Sequence, residues 1–388
     1  MRIFILPGWY KSKANPGSCL FIYEQAVALS KLGHQVVVLA VHQHPIQTLS
    51  ALQSGIHKYD DGGILTYETE IYTFNPSRFT GIYIRSFEKA LRRLMDEAKR
   101  DVGAPDVLYA HFSFAAGISA VMLKEDTPLV VEEHYSLLMG SVNRGVRRCV
   151  TDTVNSADAF ICVSSGLKQA VLDLTGTDRE LRVISNMIDP VFRYYPRPAS
   201  EDFVFLGIGG LIPRKRFDLL IRAFADEFRD DGHIRLRIAG RGEEEGKLRA
   251  LIASLDMESR IELLGQIDRA GTLDAYIHCD CFALPSAAET FGLVYREALA
   301  VGRPVISTKH GGFDEDSWHP EYGALIDIDD AAQLRRAMRN IVDSRDRCDP
   351  EKISELCLRE CSEAAVAGQI EAALTQARDG YAAGGRRR

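Results

Sequence analysis

Two glutamate side chains, Glu289 and Glu297, stand with seven residues between them and could hold hydroxyl groups. Carboxylate oxygens accept hydrogen bonds from hydroxyls, so one could bind a ribose and the other a transferred sugar. If the chain between them is helical, steps of ~1.5 Å per residue separate them by roughly 12 Å, the reach of a nucleoside diphosphate sugar. For two glutamates alone, solvated charges at the start of a helix are the simpler explanation, because the helix dipole favours them there.

The elements that must position these carboxylates are a strand, a loop and a helix. Residues 281–284 are apolar, and a helical pattern covers residues 291–300 until glycine and proline end it. The first N–H groups of a helix have no partner within the helix, and the helix dipole places positive charge there. The backbone of Thr290, Phe291 and Gly292 is therefore predicted to bind a phosphate group.

This stretch resembles the signature of retaining glycosyltransferase family 4. The matching residues, in order and spacing, are Glu289, Thr290-Phe291-Gly292, Glu297-Ala298, Gly302-Arg303-Pro304-Val305 and Gly311-Gly312. The resemblance implies the GT-B fold, an α/β architecture of two facing Rossmann-like domains with parallel sheets and a C-terminal helix that crosses back to the first domain. It also implies that Glu289 is a catalytic residue at the transferred sugar. Glu297 would bind the ribose, and Thr290, Phe291 and Gly292 would complete the donor site.

A strand that ends in glycines and is followed by basic residues begins the predicted second domain. The strand leads to Gly209 and Gly210, where a ligand can come close to the backbone. Arg214, Lys215 and Arg216 follow. Three basic residues on a loop are often only solvated, but their place after this strand favours phosphate binding.

The family pattern for this loop is Gly-Arg-Leu, three variable residues and Lys-Gly, with the arginine and the lysine binding the diphosphate. Lys215 matches the lysine and is predicted to be catalytic, but Gly210 stands where the family has arginine. Arg214 or Arg216 could replace that arginine, and the sequence leaves open which one does. Gly240, in a Gly-x-Gly turn after the next strand, is also assigned to the donor site, although a lone Gly-x-Gly is weak evidence. The resemblance places Gln266 and Ile267 near the nucleobase.

Two predicted strands of the first domain end in histidine, at His111 and His134. Ligands of doubly wound folds bind at the carboxyl ends of strands, although a single histidine there is more often structural. The pair resembles the family's strand-end histidines, which implies that His134 is catalytic near the transferred sugar and His111 is on the acceptor side. Gly17 and Ser18 stand where the family commonly has a glycine pair, and are assigned to the donor and the acceptor side, respectively.

Length and composition indicate a soluble protein of two domains. The 388 residues suffice for two ordinary domains, with 46% hydrophobic and 26% charged residues and no uncharged apolar run of ~18 residues. A net charge of −7 argues against nucleic acid as a partner. The chain enters a strand without a signal-peptide core, and its eight cysteines lack CxxC pairs, so we expect a cytoplasmic protein with reduced thiols.

The predicted domain boundary is the segment 193–200, which contains two prolines and has no periodic pattern. The first domain is expected at 1–195 together with 365–388, and the second at 200–364. The last helical stretch, 354–374, would by the family resemblance cross back to the first domain.

A helical pattern over residues 78–100 carries basic side chains between apolar ones. A surface helix with a solvated charged face is slightly favoured over membrane contact, because acidic residues dilute the positive charge. Peripheral contact with the inner face of the cell membrane stays open as an alternative.

Together these features predict a retaining glycosyltransferase that moves a sugar from a nucleotide diphosphate sugar to the hydroxyl of a glycan or lipid-linked acceptor. Resemblance to family members of that kind, particularly at Pro7-Gly8-Trp9-Tyr10 and Asn15-Pro16-Gly17, implies a setting in bacterial surface glycan or lipid-linked oligosaccharide synthesis. The sequence shows no Asp-x-Asp and no cluster of His and Cys ligands, so neither a metal nor another cofactor is expected. Two alternatives remain: a nucleotide-sugar epimerase of the same fold, and a nucleotide-sugar binding protein without turnover, which Gly210 suggests.

Overall fold

The computed structural model describes residues 1–12, 18–48, 52, 55–76, 78–313 and 317–383. The chain divides into two compact units, Met1–Met187 with Glu363–Arg388, and Ile188–Ser362. The change of unit therefore comes before the predicted linker, 193–200. That segment directly follows Phe192, which is buried against Tyr276 with 5.9 Å between ring centroids. The chain is thus already packed within the second unit just before the two prolines.

Within the described residues, fourteen strands form two sheets, one in each unit. The strands are β1 Arg2–Pro7, β2 Gln35–Pro45, β3 His57–Asp61, β4 Ile64–Thr73, β5 Val107–His111, β6 Leu129–Glu133, β7 Ala159–Cys162, β8 Arg182–Val183, β9 Phe203–Ile208, β10 Ile234–Ala239, β11 Ile261–Gly265, β12 Cys281–Leu284, β13 Val305–Thr308 and β14 Gly323–Ile326. The first sheet has the order β3-β4-β2-β1-β5-β6-β7-β8, and the second has the order β11-β10-β9-β12-β13-β14.

The predicted parallel sheets are present, with one exception. β3 pairs antiparallel to β4 at the edge of the first sheet. Gly62 and Gly63 connect these strands at φ values of 62° and 91°, a backbone that a tight two-residue hairpin turn requires and that glycine adopts readily. The central strands β1, β5, β9, β12 and β13 are apolar runs and are buried almost throughout, as expected for parallel sheets covered on both faces.

Twelve α-helices lie in the described part of the chain. They are α1 Leu20–Lys31, α2 Thr80–Val102, α3 Ile118–Leu123, α4 Arg144–Ser156, α5 Ser165–Thr175, α6 Phe217–Phe228, α7 Glu245–Ser254, α8 Arg269–His278, α9 Leu293–Ala300, α10 Ala331–Asp343, α11 Pro350–Cys361 and α12 Glu363–Ala383. None of these helices combines the length and the apolar character that crossing a bilayer requires.

The basic helix predicted at 78–100 is α2, and its apolar side chains face the interior. Phe87, Leu91, Leu94 and Met95 are all buried, and the helix packs on β2 and β4. On its outer side the exposed Arg92 pairs with a glutamate of the same helix. The outer side of the helix therefore carries mainly charged groups, with Ile82 exposed near its start.

Two predicted helices differ from the structure. The helix expected from residue 291 begins at Leu293, because Gly292 adopts a left-handed backbone with φ 77°. Glu289 and Glu297 consequently do not lie on one continuous helix. The helix expected over 354–374 is interrupted at Ser362, whose extended backbone separates α11 from α12. Since α12 belongs to the first unit, a C-terminal helix does return to that unit, as the resemblance implied.

Candidate active site

The predicted donor-binding residues follow adjacent strands at one edge of the second sheet. In spatial order, Gln266 and Ile267 follow β11, Gly240 follows β10, Gly209 and Gly210 follow β9, and Glu289 to Gly292 follow β12. Carboxyl ends of parallel strands meet at the same edge, which is where open α/β sheets bind ligands. The parallel topology therefore gathers side chains that are far apart in the sequence.

Glycine is required where the ends of β9 and β10 meet. Gly240 has φ 147°, and a Cβ atom there would lie 1.9 Å from the carbonyl oxygen of Gly209. The N–H of Gly240 donates to the carbonyl of Gly265, at the end of β11, over 2.7 Å. Beside Gly209 lies the stem of Lys215, whose Cε would be 3.4 Å from a Cβ at position 209. The ends of β9, β10 and β11 thus pack closely against one another, with the Lys215 side chain beside them.

Lys215 and Glu289 form a buried ion pair. The Lys215 Nζ lies 2.5 Å from Glu289 Oε1, and only 13% and 10% of the two side chains are exposed. Ser286 Oγ donates to the same carboxylate oxygen over 2.8 Å. Burial by itself raises the pKa of the Glu289 carboxyl, but the ammonium of Lys215 and these hydrogen bonds outweigh it and hold the pKa below its usual range. Glu289 is therefore an ionised carboxylate.

The loop that carries Lys215 is tied to the loop that carries Glu289. The carbonyl of Arg214 accepts the N–H of Ala287 at 2.8 Å, and the Arg214 guanidinium donates to the carbonyl of Ala288 at 3.0 Å. Arg216 instead pairs with Asp329 at the surface. Arg214 acts on the backbone and Arg216 on another carboxylate, so the arginine missing at Gly210 has no direct equivalent in these contacts.

His310, which the sequence did not single out, supports Glu289 from the loop after β13. Its carbonyl accepts the N–H of Glu289 at 3.2 Å. The N–H of Gly312 donates to His310 Nδ1 at 3.1 Å, so the ring carries its proton on Nε2 and donates to Ser307 Oγ, also at 3.1 Å. Burial lowers the pKa of the ring to about 4, which keeps it neutral at pH 7. The sequence feature that could have indicated His310 is its place between a predicted strand and Gly311.

Glu297 lies on α9, away from the ion pair, and contacts Tyr276 of α8. The Tyr276 hydroxyl is 2.8 Å from the carbonyl of Val294 and 3.2 Å from Glu297 Oε2. The tyrosine is fully buried, so it fixes the carboxylate from the inside of the unit. At the far end of the row, Gln266 is exposed and Ile267 is half-buried. These positions leave both residues accessible to a ligand.

The first unit brings His111 and His134 together, at the ends of the adjacent strands β5 and β6. His111 Nδ1 lies 3.1 Å from His134 Nε2. Glu132, also buried, places its carboxylate oxygens 3.8 Å from the first of these nitrogens and 3.9 Å from the second. Gln25 donates to Glu132 Oε1 at 3.2 Å, and the Tyr109 hydroxyl bonds the other oxygen.

Burial sets the charge state of this group. It lowers the pKa of His111 to about 3. It also lowers the pKa of His134 well below its ordinary value, with a smaller contribution from the charge of His111. Both rings are therefore neutral at pH 7. The pKa of the Glu132 carboxyl is raised to about 7 by burial, although the bonds from Tyr109 and Gln25 oppose the rise.

Two family models match consecutive parts of the chain. "Glycosyltransferase Family 4" covers residues 17–192, and "Glycosyl transferases group 1" covers residues 195–355. The chain belongs to glycosyltransferase family 4. The two matches span most of the sequence, including the ion pair in the second unit and the histidine pair in the first.

Similar proteins agree with this assignment. This family 4 glycosyltransferase is 33% identical over 192 residues to the lipopolysaccharide core biosynthesis glycosyltransferase LpsE of Rhizobium meliloti, an alignment that covers 48% of the chain and 54% of LpsE. It is 25% identical over 366 residues to the glycogen synthase of Mycobacterium tuberculosis, with 88% and 86% covered. The chain thus aligns with about half the length of LpsE and with most of the glycogen synthase.

Solved structures confirm the GT-B fold. The sucrose-phosphate synthase of Thermosynechococcus elongatus matches with a TM-score of 0.76 at 17% identity, covering 97% of this chain and 99% of that one. Anabaena Alr3699/HepE in complex with UDP matches with 0.72 at 18% identity, covering 97% and 100%. The predicted glycosyltransferase function is confirmed at the level of the family, and nothing in these comparisons supports the epimerase alternative.

The assigned roles of individual residues in this glycosyltransferase stay predictions. Gly17 lies outside the described residues, and Ser18 is half-buried in the turn before α1.

The sequence predicted no cluster of metal ligands, yet His111, Glu132 and His134 place one donor atom each within 4.8 Å of one another. Glu132 was missed, although a pair of glutamates at the end of an apolar strand was a visible signal.

Proposed function

We propose that this glycosyltransferase transfers a sugar from a nucleoside diphosphate sugar to an acceptor hydroxyl with retention at the anomeric carbon, without a metal ion. The ion pair of Lys215 and Glu289, inside the family signature, carries this proposal. It puts a cation that can neutralise a diphosphate beside a carboxylate that can face a sugar. Transfer then relies on preorganised charge that stabilises the leaving diphosphate as the bond breaks.

The donor is held along the edge of the second sheet in this proposal. Glu297 binds the ribose, the backbone at Thr290 to Gly292 contacts the phosphates, and Gln266 with Ile267 flanks the base. Solved structures of HepE hold UDP and UDP-glucose, which favours a uridine nucleotide as the first donor to test. In the predicted roles of the two side chains, Lys215 binds the diphosphate and Glu289 acts at the sugar.

The acceptor in this proposal is a bacterial surface glycan or its lipid-linked precursor, modified in the cytoplasm. Support for the acceptor comes from the names of two relatives, LpsE and the lipopolysaccharide outer core galactosyltransferase WaaB. A reducing compartment agrees with the eight cysteines, none of which forms a disulfide. Contact of α2 with anionic lipid, through the exposed Arg85, Arg92 and Arg93, belongs to the same proposal.

Incubation of the purified protein with UDP-glucose and a panel of other nucleotide sugars, with and without lipopolysaccharide core oligosaccharides, tests the function. A glycosylated oligosaccharide with the anomeric configuration of the donor, seen by proton NMR, supports a retaining transferase. Excess EDTA should leave most of that turnover. An epimerised donor, or nucleotide binding without any product across the panel, would overturn the proposal, and loss of turnover that Mg²⁺ or Mn²⁺ restores would overturn its metal independence.

Flotation with liposomes tests the membrane contact separately. Because the exposed groups of α2 are charged, binding to acidic vesicles is expected at low salt and should decrease at high salt. An Arg92→Glu/Arg93→Glu variant should bind less, since both side chains are exposed. Failure of the wild-type protein to float under either condition would remove membrane contact from the proposal.

A further inference from the structure

A diphosphate needs more positive charge than the ion pair of the second unit supplies. Each phosphate of a nucleotide sugar carries a negative charge. Lys215 and Glu289 together are neutral, because the ammonium and the carboxylate cancel. The backbone N–H groups before α9 can donate hydrogen bonds but carry no net charge. A further cation is therefore expected at the edge where the strands of the second sheet end.

One arginine at this edge has no partner. The loops that follow β9 to β14 contain five lysines and arginines, namely Arg214, Lys215, Arg216, Arg241 and Lys309. Arg214 donates to a backbone carbonyl, and Lys215, Arg216 and Lys309 each pair with a carboxylate. Arg241 is exposed, and within the described part of the chain its side chain has neither an ion pair nor a hydrogen bond. It is thus the one cation of this set that is free to bind a ligand.

Backbone contacts hold Arg241 beside Gly210. The N–H of Leu211 donates to the carbonyl of Arg241 over 2.9 Å, and the N–H of Glu244 donates to the carbonyl of Leu211 over 3.0 Å. A Cβ atom at Gly242 would lie 2.3 Å from that same Leu211 oxygen. The loop after β10 is therefore fixed on the loop after β9, which leads to the lysine of the ion pair.

The glutamates that follow Arg241 act towards α7. Glu244 pairs with Lys247 over 2.6 Å, and Glu245 forms an ion pair within α7. The pKa of Lys247 is raised first by its bond to Glu244 and to a smaller extent by the charge of Glu243. The basic side chains of α7 thus offset these carboxylates, and Arg241 keeps its charge for a ligand.

We infer that Arg241 is the second cation of the diphosphate site, and that it binds a phosphate oxygen of the nucleotide sugar beside Lys215. It would replace the arginine that the family has at position 210. A guanidinium presents its N–H groups in a fork that fits a phosphate group. Because Arg241 has no partner, it can bind without first breaking another contact. The inference rests on the proposed function, since it names a further ligand of the same donor.

Calorimetry with UDP, ADP, GDP and inorganic pyrophosphate tests this assignment. Arg241→Gln keeps a polar side chain and removes the charge, so the tightest of these ligands should bind about tenfold more weakly. The matched control is Arg336→Gln on α10, which removes another exposed arginine that has no partner among the described residues. It should bind like the wild type. Without ligand, Arg241→Gln should melt at the wild-type temperature, because no contact within the protein is lost.

The outcomes separate this inference from the proposed function. If Arg241→Gln binds like the wild type while Lys215→Ala binds more weakly, the inference is overturned and the proposed diphosphate site stands. If the wild-type protein binds none of the four ligands, both fail. A lower melting temperature of ligand-free Arg241→Gln would show a structural role and would also overturn the inference.

An arginine restored at position 210 provides a rescue experiment. The atom nearest to a Cβ at Gly210 would be the carbonyl oxygen of Arg241, at 3.9 Å, which is an ordinary contact. Gly210→Arg in the Arg241→Gln protein should therefore recover most of the lost affinity. Gly232→Arg in the same background is the control, because Gly232 also has room for a Cβ but precedes β10, at the opposite edge of the sheet. No recovery with Gly210→Arg, or equal recovery with Gly232→Arg, would contradict the role of Arg241.

Discussion

At the scale of single residues, Lys215 and Glu289 depend on each other. Lys215→Ala removes the cation that the diphosphate needs, and a turnover lower by ~10²–10³ is expected. It also leaves Glu289 buried without its partner, which should raise the pKa of that carboxyl and lower the free energy of unfolding by about 3 kcal/mol. Steady-state kinetics, calorimetry with a nucleoside diphosphate and chemical denaturation measure the three effects.

The control for this variant is Lys247→Ala. Lys247 also pairs with a glutamate, but its side chain is 75% exposed, so its removal should leave stability almost unchanged. If Lys215→Ala binds and turns over like the wild type, the diphosphate is bound elsewhere, and Arg214 or Arg216 becomes the leading candidate.

Substitutions of Glu289 and Glu297 should differ in their effects on nucleotide affinity and turnover. Glu297→Ala is expected to weaken binding of the bare nucleoside diphosphate by about 1.5–3 kcal/mol, because a charged hydrogen bond to the ribose is lost. Glu289→Gln keeps the shape of the side chain and removes its charge, so turnover should fall much more than nucleotide affinity. Calorimetry beside kinetics for both variants checks this, and an equal loss of affinity in both would contradict the division of roles.

His310 should make the stability of the protein depend on pH. Its pKa falls from an ordinary 6.5 to about 4 in the folded state, so between these values the unfolded chain binds a proton that the folded chain does not. The part of the free energy of unfolding that depends on this ring is fully present above pH 6.5. It decreases by about 1.4 kcal/mol per pH unit as the pH falls towards 4. His310→Asn keeps an acceptor at the Nδ1 position and should flatten that slope by one proton in denaturation curves at pH 7, 6 and 5. An unchanged slope would mean that this ring does not titrate in that range.

At the scale of elements, the junction of β9 and β10 should tolerate no side chain. Gly240→Ala places a Cβ 1.9 Å from the carbonyl oxygen of Gly209, at φ 147°. We expect a loss of at least about 2 kcal/mol in the free energy of unfolding, together with weaker nucleotide binding. Gly246→Ala is the matched control, because nothing lies within 4 Å of its Cβ and the residue is on α7, where alanine should add ~0.5–1 kcal/mol. Equal stability of the two variants would contradict this close approach.

At the scale of the whole molecule, α12 completes the core of the first unit. Val366, Ile370 and Leu374 are buried in the same cluster as Ile22 and Leu29 of α1. A chain that ends at Ser362 should therefore lose the thermal transition of the first unit, or show it at lower temperature. The second unit should still bind a nucleoside diphosphate in calorimetry. A chain that ends at Ala383 keeps α12 and serves as the control, and an unchanged first transition after the longer truncation would contradict the role of α12.

The sequence by itself determined the family resemblance, the α/β class and many of the strands and helices, but not the hairpin of β3 and β4. The spacing of apolar residues and the glycines that end helices are local features of the sequence. Apolar runs such as 203–208 predict buried strands, and Gly33 or Gly302 ends a helical pattern. The spacing from Glu289 to Gly312 is equally local, since one strand, one turn and one helix contain it. Local signals of this kind do not depend on how distant segments pack.

Tertiary structure alone decided which of these residues meet. Lys215 reaches Glu289 because β9 and β12 are neighbours in the sheet, and no pattern near either residue reveals that pairing. His111 and Glu132 come together because β5 and β6 are neighbours, and Gln25 reaches Glu132 from α1. The predicted start of α9 was wrong because the left-handed backbone of Gly292 overrides local propensity. The change of unit at residue 188 comes before the predicted linker at 193–200. Burial, which removes water from the histidine rings, keeps them neutral, and the ammonium of Lys215 keeps Glu289 ionised; both effects are properties of the folded chain.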